Sequence, residues 1–130
     1  MKEGFDFLLE HRKLIVQPIL SSENIESIAI RAILDTGAGK TVITENVALH
    51  LEIDLLKPIR YENLNTAGGG IKAKIVLNPE IKLFNRIFRN LEVAIVKLPP
   101  TTLVSALIGI DILYQLKEFT ISFTDKKIYL

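Results

Sequence analysis

Asp35 closes the run Ile28-Ala29-Ile30-Arg31-Ala32-Ile33-Leu34 and opens Thr36-Gly37-Ala38-Gly39. A carboxylate at the mouth of an apolar strand needs a partner or a task, because an unpaired buried charge is costly. Two chemistries fit these residue types. In one, Asp35 forms an Asx turn on the backbone two residues on, with Gly37 and Gly39 supplying unusual φ. In the other, it is a general acid or base held from beneath by the Thr36 hydroxyl and the bare backbone of Gly37. Two further stretches bear on the choice. Ala67-Gly68-Gly69-Gly70-Ile71 interrupts two extended arms, and Leu107-Ile108-Gly109 precedes Ile110-Asp111-Ile112-Leu113.

The elements that must position these residues read mostly as β. Residues 14–20, with Pro18 inside, suit an edge strand or a bulge. Residues 27–34 begin in alternation and become continuously apolar, as in a strand entering the core. Thr44 can cap a helix over 44–51, with Glu45 in its first turn and Val47, Ala48 and Leu51 on one face. Residues 61–77 read as a hairpin with a glycine-rich tip. IKLF and then residues 90–96 follow as strands, and Pro99-Pro100 forces an extended loop. Residues 105–116 have the spacing of a short helix with Gly109 inside it or at its start. FTISF-TDKK-IYL closes the chain as strand, turn and strand. At least seven strands and two short helices predict a mainly β domain with a closed or heavily folded sheet.

Composition narrows the function classes. A chain of 130 residues fits one domain with its own core. Without cysteine, disulfides, thiolate metal sites and a cysteine nucleophile are excluded. The N-terminus does not read as a secretory signal, since Glu3 and Asp6 interrupt it. The longest uncharged run, Leu98 to Ile110, has 13 residues, against the roughly 20 of a membrane-spanning helix. The expectation is a cytoplasmic protein with no membrane partner. Sixteen bases against fifteen acids leave the net charge near neutral, which argues against a nucleic-acid partner. The bases do concentrate over 57–97, where the two readings are solvated strand faces and a basic region over a cleft. Ala38-Gly39-Lys40-Thr41 suggests a phosphate-binding loop, but Leu34 stands where its first glycine should be. His11 and His50 have no metal-ligand spacing.

Leu34-Asp35-Thr36-Gly37-Ala38 after an apolar run resembles the active-site signature of retropepsin-like aspartic proteases. Leu107-Ile108-Gly109 resembles that family's second signature, and the glycine-tipped hairpin lies between them as in the family. The resemblance covers residues 14–130 and leaves residues 1–13 as an N-terminal extension of uncertain role. It implies an acid-protease β-barrel with one or two short helices, and an aspartic endopeptidase that uses no metal and no cofactor. With one Asp-Thr-Gly loop per chain, it also implies a homodimer with Asp35 from each copy as the catalytic pair.

Under the same resemblance Thr36, Gly37 and Ala38 scaffold the loop, and Thr36 bonds across the dimer axis. Ala67, Gly68, Gly69, Gly70 and Ile71 form a flap over a peptide or protein substrate. Leu107, Ile108 and Gly109 back the active-site loop, and FTISF and IYL interlock the subunits. Two positions depart from the viral pattern: Gly39-Lys40 replaces an acidic residue after Ala38, and Ile110 replaces an arginine after Gly109. Gly109-Ile110-Asp111-Ile112-Leu113 resembles the cellular and bacterial members more closely. Asp111 is expected to be structural, at a helix start where negative charge is favoured. The alternative function is a non-catalytic dimer that binds a peptide or protein partner in the same cleft.

Overall fold

The computed structural model describes residues 2–23, 27–66, 69–97 and 104–130. Strands β1 (Gly4–Asp6), β2 (Leu8–Glu10), β3 (Lys13–Val16), β4 (Ile19–Ser21), β5 (Ile28–Ala29), β6 (Ala32–Leu34) and β7 (Val42–Thr44) lead into helix α1 (Glu45–His50). Then come β8 (Arg60–Thr66), β9 (Gly69–Leu83), β10 (Arg86–Val96) and β11 (Ala106–Ile108). Helix α2 (Ile110–Leu113), a 3-10 turn (Tyr114–Leu116), β12 (Thr120–Ser122) and β13 (Lys127–Tyr129) finish the chain.

The large sheet runs β2-β3-β6-β11-β7-β10-β9-β4-β5, with β8 attached to β9 alone. Its pairings among the described residues leave an open path, so the sheet is mainly β and folded but does not close into a ring of strands. A second sheet has the order β1-β13-β12. Residues 4–10, which the sequence left as an extension, therefore supply one strand to each sheet. Gly4 stands opposite Tyr129, whose ring carbon would lie 2.8 Å from an added Cβ. The Lys127 ammonium bonds Asp6 across the same pair at 2.8 Å. β13, expected to interlock subunits, already has β1 and β12 on its two edges within its own chain.

Local chemistry explains the breaks. Pro18 lacks an N–H and separates β3 from β4, and its carbonyl instead accepts from the Ile30 N–H at 3.1 Å. The run 27–34 is likewise two strands, β5 and β6, rather than one. Helix α1 starts where the sequence places it: the Thr44 hydroxyl accepts from the Val47 N–H, and Val47, Ala48 and Leu51 are buried. Such a cap is worth about 1 kcal/mol. Ile81, Lys82 and Leu83 are the end of β9, not a separate strand. β9 turns into β10 at Phe84 and Asn85, both with positive φ, as a tight hairpin requires.

The main core collects Leu34, Ile43, Leu51, Ile81, Val93, Ile108 and Ile112 with their neighbours. A smaller cluster of Val42, Ala73, Ile75, Ala94 and Val96 lies beneath the β8–β9 hairpin, with Leu64 and Leu107 packed against it. β9 pairs with β10 only from Lys74 onward, so among the described residues the strand partner of the segment Gly69–Ala73 is β8. The far end of the hairpin thus projects beyond the sheet.

Candidate active site

β6 and β11 run parallel, with Ala32 opposite Ala106, Ile33 opposite Leu107 and Leu34 opposite Ile108. Parallel neighbours end on the same side, so Asp35 and Gly109 emerge next to each other from chain segments far apart in sequence. The Asp35 N–H continues the ladder to the Ile108 carbonyl at 2.9 Å. Beyond it the chain turns: the Ala38 N–H bonds the Asp35 carbonyl at 3.2 Å, and Asp35 Oδ1 accepts from the Gly37 N–H at 2.9 Å. The Asx-turn geometry is therefore present, and it leaves the Asp35 side chain half-exposed. Thr36 and Gly37 are exposed, and the Thr36 hydroxyl makes no hydrogen bond among the described residues.

The three residues of the second motif do different work. Ile108 is buried in the main core, while Leu107 faces the small cluster under the hairpin. Gly109 meets the active-site loop directly. A Cβ on it would lie 2.7 Å from the Ala38 carbonyl oxygen and 2.8 and 2.9 Å from the carbon and oxygen of the Lys40 carbonyl. Its φ of −95° is open to any residue, so close approach and not backbone conformation demands glycine here. The next residue seals the contact, the Ile110 N–H donating to the Ala38 carbonyl at 2.8 Å.

Thr41, which the sequence offers only within the rejected phosphate-loop pattern, completes the junction. It is the buried polar residue of the described chain, with no exposure. Its hydroxyl donates to Asp111 Oδ1 at 2.7 Å and accepts from the Gly109 N–H at 3.1 Å. Its backbone N–H donates to Asp111 Oδ2 at 2.9 Å, and the Ile112 N–H donates to Asp111 Oδ1 at 2.9 Å. Asp111 is thus a structural residue in the first turn of α2, with its charge spent on that turn and on Thr41.

A family model described as "gag-polyprotein putative aspartyl protease" matches residues 23–115, a span that holds both motifs and the hairpin between them. The chain belongs to this aspartyl protease family. It is also similar to a solved structure, the retropepsin-like aspartic protease from Rickettsia conorii. The two are 21% identical over 100% of this chain and 91% of that one, with a TM-score of 0.71. At that identity the likeness speaks for the fold, which is retropepsin-like.

Within this aspartyl protease fold, Gly69, Gly70 and Ile71 lie exposed on the second arm of the hairpin; Ala67 and Gly68 fall outside the described residues. Lys72 and Lys74 lie on the face opposite Ala73 and Ile75. Lys72 stands over the Tyr61 ring at 4.9 Å, and Lys74 donates to the Leu55 carbonyl at 3.0 Å. Several bases of 57–97 have partners within the chain. Arg89 pairs with Glu80 at 3.3 Å. Arg60 bonds Glu62 at 2.7 Å and Glu92 at 2.6 Å. Lys40 approaches the same two carboxylates at 3.4 and 3.8 Å. The hydrogen bond from Arg60, with the Lys40 charge adding to it, holds both glutamates below the usual carboxylate range. No group of three or more His, Cys, Asp or Glu among the described residues could hold a metal ion. No helix among them is long and apolar enough to cross a membrane.

Proposed function

We propose that two copies of this chain form a C2 homodimer that hydrolyses peptide bonds, with Asp35 of each copy as the catalytic pair. The observation that carries this reading is the setting of Asp35. In a chain of this protease family, it stands half-exposed at the end of a core strand, oriented by the Gly37 N–H and supported from behind by the Gly109 junction. One Asp-Thr-Gly loop per chain makes the site incomplete without a second copy, and a two-fold axis brings the second Asp35 opposite the first. The exposed, unbonded Thr36 hydroxyl is free to bridge that axis. β12 keeps one edge without a strand among the described residues, which favours it over β13 as an interlocking element.

Two carboxylates about 3 Å apart cannot both ionise cheaply, so they share one proton. That proton belongs to the pair. The ionised member takes a proton from a water, which attacks the peptide carbonyl carbon. The protonated member donates to the carbonyl oxygen, giving a neutral tetrahedral diol, and collapse of the diol with proton transfer to the amide nitrogen releases amine and acid. The β8–β9 hairpin acts as the flap, shielding the substrate from bulk water and orienting it.

The test is cleavage of a diverse synthetic peptide mixture, followed by mass spectrometry from acid to neutral pH. Wild type and Asp35→Asn are compared, with the dimer fraction recorded at each pH. Cuts that vanish in Asp35→Asn while the dimer persists support the reading. A stable wild-type dimer that cuts nothing at any pH would overturn it in favour of a peptide-binding dimer.

A further inference from the structure

The hairpin that would cover Asp35 is attached to the rest of the protein in an unbalanced way. Its second arm, β9, is paired along most of its length with β10 and β4. Its first arm, β8, has β9 as its one strand partner among the described residues. Among the described residues no strand lies on the outer edge of β8, and the contacts seen there are made by side chains. Leu64 packs toward the small apolar cluster, and at the root of β8 stand Arg60 and Glu62.

Arg60 and Glu62 meet Glu92 of β10 and Lys40 of the active-site loop in one compact group. Arg60 reaches Glu62 Oε1 with both Nε and Nη2, at 2.9 and 2.7 Å, and Glu92 Oε1 with Nη2 at 2.6 Å. Lys40 Nζ lies 3.4 Å from Glu62 Oε2 and 3.8 Å from Glu92 Oε1. Two cations and two carboxylates balance. The Lys40 side chain is the least exposed of the four at 23%.

The loop between Asp35 and Lys40 is already tied to α2 on one side through the Ala38 carbonyl. Lys40 is its tie on the other side. An exposed ion pair contributes little to stability by itself, whereas a network joining three segments can fix their relative placement. Placement is what a reaction under a flap depends on, since a displacement of about 1 Å can cost about a hundredfold in rate.

We propose that Lys40 is a positioning residue. By bridging Glu62 and Glu92, it fastens the loop that carries Asp35 to the root of the flap, so that the flap closes in register with the carboxylate. The catalytic half of this statement rests on the endopeptidase reading above; the mechanical half does not. Lys40→Met keeps most of the apolar stem and removes the charge, and Lys40→Arg keeps the charge.

The first readout is hydrogen exchange of the segment 60–66, with the segment 120–129 as an internal reference. Lys40→Met is expected to speed exchange in 60–66 about three- to tenfold, which is a local loosening of about 1 kcal/mol. Exchange in 120–129 should stay unchanged, and Lys40→Arg should restore the wild-type rate in 60–66. In about 1 M salt, where the Debye length falls to about 3 Å, the wild type should approach Lys40→Met.

The second readout is peptide cleavage. kcat should fall about tenfold in Lys40→Met with KM changed by less than about threefold, as for an interaction expressed in the transition state. Lys40→Arg should again recover it. Equal exchange in wild type and Lys40→Met, or an Lys40→Arg variant as defective as Lys40→Met, overturns the proposal. A wild type that cleaves nothing defeats the endopeptidase reading alone, because the exchange experiment still decides whether Lys40 fastens the flap. A wild type that cleaves, with exchange altered but kcat intact in Lys40→Met, refutes the positioning role while the endopeptidase reading stands.

Discussion

Gly109→Ala is the most severe test of how the site is held, because it adds one methyl group and nothing else. The new Cβ would sit 2.7, 2.8 and 2.9 Å from three backbone atoms of Ala38 and Lys40. Ordinary contact begins near 3.5 Å, so loop and helix must separate by about 0.8 Å. None of the three atoms can move by a rotamer change. The Ile110 N–H bond to the Ala38 carbonyl, now 2.8 Å, would stretch to the edge of hydrogen-bonding range. Overpacking costs about 1–3 kcal/mol and a lost hydrogen bond about 1 more. Against this, alanine restricts the unfolded chain and returns about 0.4–1 kcal/mol. Crowding wins, for a net loss of about 1–3 kcal/mol.

For a chain of this length that is a fall in Tm of roughly 4–12 °C, compared at one protein concentration. Cleavage should fall about a hundredfold, since the displaced loop carries Asp35. Gly39→Ala is the control: no atom lies within 4 Å of its Cβ and its φ is not left-handed. It should leave Tm unchanged or slightly raised. If Gly109→Ala matches Gly39→Ala in both Tm and cleavage, the close approach of α2 to the loop is not what positions Asp35.

Two other perturbations separate the parts of the site. Thr41→Val keeps the shape but strands the buried Gly109 N–H and takes one donor from Asp111; a loss of about 2–3 kcal/mol in urea unfolding with an unchanged m-value is expected, and a loss below about 0.5 kcal/mol would show the junction to be redundant. Arg60→Gln probes the charge cluster through pH. Glu62 and Glu92 are held below their ordinary value of 4.5 in the folded protein, so their contribution is complete above 4.5 and is lost as pH falls through the lowered values. The Tm advantage of wild type over Arg60→Gln should therefore be flat from pH 7 to about 5 and shrink in stronger acid; a gap that widens on acidification would contradict the pairing.

What could be read from the sequence was local. Thr44 announces helix α1 because capping, charge and periodicity agree over residues 44–51. The hairpin is legible because glycines separate two alternating arms. The strand, turn and strand at the C-terminus follow from the same rules, although the turn falls at residues 123–126, one residue before the TDKK stretch, and Lys127 opens β13. The errors also have local causes. Residues 105–108 fit a helix by spacing, but a short apolar run does not distinguish a buried strand from a helix. They form β11 because β6 and β7 present ladder edges on both sides. Hydrophobicity alone makes residues 27–34 one strand, and the break at Ile30 and Arg31 goes with a hydrogen bond to Pro18, a partner outside the run. Nor does any period connect Lys40, Arg60, Glu62 and Glu92, which meet only because β8, β10 and the loop converge.

The same non-local pairing explains why the two short motifs belong together. Asp-Thr-Gly and Leu-Ile-Gly are each too common to mean much alone. Once β6 and β11 are parallel neighbours, the residue after each strand must share a small space, and only a glycine on one side lets the carboxylate-bearing loop on the other settle close. The Gly109–Thr41–Asp111 junction then holds the base of the loop from the helix side, and the Lys40 cluster holds it from the hairpin side. What remains uncovered is the tip, Thr36 and Gly37, together with one face of Asp35. A loop fixed at its base and bare at its tip suits a site completed by a second copy. Two carboxylates can share a proton only if each arrives already in place, and a loop that had to order on contact would lose that placement to entropy.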